Sequence, residues 1–114
     1  MFGPLETEVM KLVWDTRRPV AVREVVDQLN ERRSERLAYT TVMTVMTRLA
    51  EKGVLTRVRE GRGYLYEAAA PDEAGLAVRG VMREFGDAAL AHFVEEARAD
   101  PKALKRLQKL LGED

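Results

Sequence analysis

Residues 38–52 read Ala38-Tyr39-Thr40-Thr41-Val42-Met43-Thr44-Val45-Met46-Thr47-Arg48-Leu49-Ala50-Glu51-Lys52, and Gly53 follows. Val42, Val45, Met46 and Leu49 recur at the i, i+3, i+4, i+7 spacing that gathers side chains on one side of a helix. At about 100° per residue, Thr40, Thr44 and Thr47 lie opposite that stripe, flanked by Thr41 and Arg48. Threonine is β-branched, loses rotamer freedom in a helix and is a mediocre helix former. Four threonines turned away from a core therefore need a reason beyond propensity. Their hydroxyls can hydrogen-bond base edges or phosphates, and their methyls can contact the methyl of thymine.

Toward the N-terminus, two more helices are expected. Gly3-Pro4 opens the first, with proline where its missing N–H costs nothing. Leu5, Val9, Leu12 and Val13 give its apolar side, and Trp14-Asp15 closes it. Arg17-Arg18-Pro19 is a turn, and Val20-Ala21-Val22 has room for one very short strand. Val22, Val25, Val26 and Leu29 predict a second helix to about Arg33, and Ser34 to Leu37 form a polar connection. After Gly53 the period changes to two. Val54, Thr56 and Val58 alternate with Leu55, Arg57 and Arg59, Glu60-Gly61-Arg62-Gly63 turns the chain, and Tyr64-Leu65-Tyr66-Glu67 returns it. That is a β-hairpin with glycines in its loop. Gly61-x-Gly63 is accordingly turn chemistry rather than a phosphate-binding loop.

Three helices followed by a hairpin is the order of a winged helix-turn-helix, in which one helix enters the major groove. Thr40, Thr41, Thr44, Thr47 and Arg48 are then the candidates for base contact. Lys52, Arg57, Arg59 and Arg62 are better suited to phosphates, which position the domain without specifying sequence. The charge distribution agrees. The whole 114-residue chain is neutral, with 19 basic and 19 acidic side chains, yet Arg32–Tyr66 holds eight basic against three acidic, a local net of +5. Such a stretch on a neutral chain is the footprint of a nucleic-acid surface. The competing reading is a winged helix used for protein contacts, which would be expected to carry aromatic or aliphatic anchors on the threonine face.

Pro71-Asp72 divides the chain into an expected winged-helix domain, residues 1–70, and a helical domain, residues 71–114. The latter reads as three helices: Asp72–Phe85, one after Gly86-Asp87, and one capped by Asp100-Pro101. Phe85, Leu90, Phe93 and Val94, together with Leu104, Leu107 and Leu111, are more apolar surface than an arm of this size can cover alone. They are the candidates for pairing with a second copy, which would also let two winged helices read two half-sites. The fold class expected is mainly α with a small β-hairpin.

Composition excludes much else. With 46% hydrophobic and 33% charged residues the chain is an ordinary globular one. Zero cysteines exclude disulfides and thiolate metal sites. No apolar run has the length of a signal peptide or membrane span, so the cytoplasm is the expected compartment and no membrane insertion is expected. His92, the one histidine, stands at helix spacing from Glu95 and Glu96, but beside Phe93 it reads as a surface or interface residue. No metal site, cofactor or catalytic pairing is expected.

The segments Gly3-Pro4-Leu5-Glu6-x-Glu8-Val9-Met10, Trp14-Asp15, Val22-Arg23-Glu24-Val25 and, above all, Leu37 to Leu49 with Lys52-Gly53 closely resemble the penicillinase-repressor (BlaI/MecI/CopY) family of bacterial transcriptional regulators. Arg57 to Tyr66 resembles that family's wing. The resemblance is strong over residues 3–70 and extends to the tail in helical character and length. It implies a homodimeric repressor on a pseudo-palindromic operator of double-stranded DNA. It also implies, for the β-lactam-responsive members, inactivation by proteolysis in the dimerisation arm, triggered by a membrane sensor-protease. His92-Phe93 is the nearest candidate bond and departs from the family's site. The copper-responsive mode, which uses a C-terminal cysteine cluster, is absent from a chain without cysteine.

Overall fold

The computed structural model describes residues 2–113. Helix α1 spans Pro4–Thr16, α2 Val22–Glu31 and α3 Tyr39–Glu51; strands β1 (Leu55–Glu60) and β2 (Gly63–Ala68) follow, then α4 (Glu73–Phe85), α5 (Asp87–Ala99) and α6 (Pro101–Leu110). Helix α1 starts where Gly3, in extended conformation, precedes Pro4, and the Glu6 carboxylate accepts the Gly3 N–H at 3.0 Å. It ends on Arg17, whose φ of 56° puts it in the left-handed region usual for a helix C-terminus.

The hairpin pairs in antiparallel register from Leu55↔Ala68 to Glu60↔Gly63. Gly61, at φ +59°, takes the first position of the two-residue turn, where a hairpin requires positive φ and glycine meets no steric penalty. Val20 adds a bridge to the free side of β2, its N–H and C=O each bonding Tyr66 at 2.8 Å. The short strand expected around Val20 is therefore one bridged residue.

The chain divides into two compact units, Met1–Leu76 and Ala77–Asp114. In the first unit Val9, Met10, Val13, Val20, Val25, Val26, Val42, Met46, Leu49, Leu55 and Tyr66 form one closed core. Met10 is fully buried, whereas Leu5 and Leu12 are only half-buried against that core, so the buried side of α1 is rotated from the expected stripe. The α2–α3 connection is held by a buried polar group. Asn30 donates from Nδ2 to the Leu37 carbonyl at 3.1 Å and accepts the Leu37 N–H at Oδ1 at 2.7 Å. Trp14 Nε1 donates to the Ala70 carbonyl at 2.9 Å, fixing the chain where it leaves the hairpin. Leu76 is buried in the same core, so the first turn of α4 belongs with this unit.

In the second unit α5 and α6 pack on each other, and Asp100 caps α6 by accepting the N–H groups of Lys102 and Ala103 at 3.0 and 3.4 Å. Its only buried apolar side chains among the described residues are Ala89 and Ala97.

Candidate nucleic-acid interface

Helix α3 carries two unlike sides. Val42, Met46 and Leu49 are buried and Val45 is half-buried against the core. On the other side Thr40, Thr41, Thr44 and Arg48 are exposed, and Thr47 is half-buried at the edge. Met43, 39% exposed, borders this face. At the N-terminal end of α3, the Arg23 guanidinium of α2 lies 4.6 Å from the centroid of the Tyr39 ring, a cation–π contact that ties the two helices where α3 begins.

The hairpin's two faces follow from its register. Leu55, Arg57 and Arg59 share one face with Tyr64, Tyr66 and Ala68. Near the helices that face is buried, at Leu55 and Tyr66; farther out it is exposed, and there it carries arginines. Tyr64 stands between them, 4.9 Å from the Arg57 guanidinium and 5.9 Å from that of Arg59. The opposite face holds Val58, 48% exposed, whereas Val54, just before the strand, packs against the core. Arg62 occupies the turn, exposed to solvent and in no ion pair among the described residues.

Several cations are already engaged. Arg18 holds Glu24 through two bonds of 3.1 and 2.6 Å, and Arg33 holds Glu8 through two of 3.2 and 3.0 Å. Lys52 lies 3.5 Å from Glu6. The Glu6 carboxyl is held below its ordinary value, chiefly by the Gly3 N–H that it accepts and further by the positive charges of Lys52 and Arg48. Glu24 is lowered as well, chiefly by its hydrogen bond with Arg18.

The sequence matches the Penicillinase repressor family over residues 2–113. The chain belongs to that family. The transcriptional regulator BlaI of Mycobacterium tuberculosis, in strains CDC 1551 / Oshkosh and ATCC 25618 / H37Rv, is 43% identical over 112 residues, covering 91% of this chain and 80% of the relative. The solution structure of monomeric Bacillus licheniformis BlaI in complex with the blaP half-operator is similar at a TM-score of 0.53 and 29% identity, over 66% of this chain and 87% of that one. The winged-helix fold class is thus shared with a repressor-family relative, and family membership makes this chain a transcriptional regulator and not an enzyme.

Within the repressor fold, Thr40, Thr41, Thr44 and Arg48 form one contiguous exposed face, and Arg57, Arg59 and Arg62 collect at the outer part of the wing. Lys52, one turn beyond Arg48 at the C-terminal end of α3, is paired with Glu6, whose carboxyl also feels the charge of Arg48. Arg23 falls in a segment that resembles the family but has no role assigned from the sequence, and no motif contains Arg32 or Arg36, which are exposed in the α2–α3 connection and form no ion pair among the described residues. Arg32 and Arg36 contribute to the +5 stretch, so the charge count is the one signal that contains them. His92 Nδ1 lies 3.5 Å from Glu95, and no group of three metal-ligating side chains occurs among the described residues. Of the tail candidates, Phe85, Leu90, Phe93, Val94 and Leu111 are exposed, and Leu104 and Leu107 are half-buried.

Proposed function

We propose that this chain is a sequence-specific DNA-binding repressor that acts as a homodimer on a pseudo-palindromic operator. Residues 1–70 form the DNA-binding domain in this reading and residues 71–114 the dimerisation domain. Thr40, Thr41, Thr44, Thr47 and Arg48 face the major groove, Arg57, Arg59 and Arg62 hold phosphates from the wing, and Lys52 adds a phosphate contact on releasing Glu6. The observation that carries the reading is the polar, unanchored face of α3 set against the buried Val42, Met46 and Leu49. That the B. licheniformis relative is described in complex with a half-operator supports it.

Pairing rests on the tail. Phe85 is 58% exposed and Leu111 66%, in a unit that buries only two alanines among the described residues. A second copy covering Leu90, Phe93, Val94, Leu104 and Leu107 supplies the missing core. The operator is released, on this reading, by cleavage in the arm set off by a membrane sensor-protease acting indirectly; family resemblance supports that step. The protein works in the cytoplasm beside the chromosome, and no helix among the described residues is long and apolar enough to cross a membrane.

Genome-wide footprinting of the bound DNA, followed by titration of the recovered site, tests the reading. On the order of six to eight phosphate contacts per dimer predict a log–log salt slope of roughly −5 to −7. A slope near zero, or no recovered site, would leave only a protein-contact module.

A further inference from the structure

Helix α6 places Lys102, Lys105, Arg106 and Lys109 within an arc of about 100°, with Leu104, Leu107 and Leu111 across the helix from it. The helix has no acidic side chain, all four cations are exposed, and none takes part in an ion pair among the described residues. Ordinary solvated faces intersperse both signs, because like charges at i, i+3 and i+4 repel. Neighbouring α5 has the opposite bias, with Asp87, Glu95 and Glu96 against Arg98, yet among the described residues those acids form no ion pair with the α6 arc. A chain of zero net charge can attract a polyanion only through such local concentrations.

We propose that the Lys102/Lys105/Arg106/Lys109 arc is a second contact surface for the phosphate backbone of duplex DNA, separate from the winged helix. The inference rests on the repressor reading above. When the leucine side of α6 is covered by a second copy, the arc on the opposite side turns to solvent in both copies. A homodimer presents the arc twice. Side chains that meet only phosphates carry no sequence information, so the arc adds affinity to operator and to random duplex alike.

The test uses the full-length dimer with each of the four cations changed to glutamine, beside a second variant carrying Lys102→Arg, Lys105→Arg and Lys109→Arg. Salt titrations with operator and with random duplex are the readout, and sedimentation and thermal melting are the controls. The glutamine variant should stay dimeric, bind both duplexes about ten-fold or more weakly at fixed salt, and lose roughly 2 or more from its log–log slope. The arginine variant should bind as the parent does, which separates charge from any loss of helix stability. Unchanged slope and affinity in the glutamine variant, while Arg57→Gln with Arg59→Gln and Arg62→Gln flattens the slope, would overturn this proposal and leave the repressor reading standing. If the parent itself shows no salt-dependent duplex binding, both fall. A glutamine variant that sediments as a monomer would assign the arc to the subunit interface, and parent protein that prefers anionic phosphatidylserine vesicles to duplex would assign it to lipid; either overturns the proposal.

Discussion

In the first unit fifteen apolar side chains, from Val9 to Leu76, close over one another, whereas from Ala77 onward only Ala89 and Ala97 are buried among the described residues. Both halves are rich in amphipathic helix, so the contrast does not come from composition. Three helices and a hairpin surround a common centre, and every apolar stripe meets another. The tail places α5 against α6, and that pair leaves Phe93 and Leu90 about half exposed. Amphipathic patterning therefore tells which side of a helix wants burial, and the number of neighbouring elements decides whether the same chain can supply it.

The largest expected effect attacks the closed unit. Met46→Ala empties a fully buried position in α3 and should cost about 2–5 kcal/mol, read as a drop in the denaturation midpoint of residues 1–76 expressed alone. That fragment should be monomeric and folded before mutation. A fragment that is unfolded, or that melts like the parent after Met46→Ala, would remove the contrast between the units.

The tail should respond differently. Phe93→Ala should weaken self-association by about 1–3 kcal/mol in sedimentation equilibrium and leave the melting of the winged unit unchanged, because the part of its side chain that one copy leaves exposed, 42%, is what the proposed second copy covers. A concentration-independent loss of tail helicity would instead mean that Phe93 packs within one chain.

Much of this was legible because breakers and periodicity coincided. Gly3-Pro4, Gly53 and Asp100-Pro101 stand where three helices begin or end, and the Val42/Val45/Met46/Leu49 spacing oriented α3 correctly. What stayed hidden depends on partners distant in sequence. Asn30 reads as a polar residue near a helix end, and only the fold shows it bonding both backbone groups of Leu37. The pairing of Lys52 with Glu6 joins residues 46 apart, and no local pattern predicts it. Alternation in β1 put Leu55 with Arg57 and Arg59, and only the register with β2 shows that Tyr64, Tyr66 and Ala68 share their face. Helix length departs from expectation at the polar end of α2, which stops at Glu31 rather than near Arg33 because no apolar residue beyond Leu29 holds the last turn to the core.

A smaller effect is expected at the wing. Tyr64 holds Arg57 and Arg59 by its ring faces, so Tyr64→Leu should weaken DNA binding by about 0.5–1 kcal/mol for each guanidinium set free, and Tyr64→Phe should not. Equal weakening in both variants would assign the effect to the hydroxyl.

Acid should separate the two units by the smallest margin. Glu6 and Glu24 both have folded values below their ordinary 4.5, so each stabilises the winged unit above that pH, and the contribution is lost as pH falls through the folded values. Glu6→Gln with Glu24→Gln should therefore flatten the melting temperature of the fragment against pH below about 4.5. A profile as steep as the parent's would show that other carboxylates set it.

Which side of α3 meets DNA is the central question, and one substitution decides it. Thr44 is exposed opposite the buried stripe, so Thr44→Ala leaves the core intact. Operator and random-duplex affinities of that variant, measured at one fixed salt concentration, should diverge: a loss of about 1–3 kcal/mol on the operator and almost none on random sequence. A folded Thr44→Ala protein that binds its operator as tightly as the parent would contradict the assignment of this face to the groove.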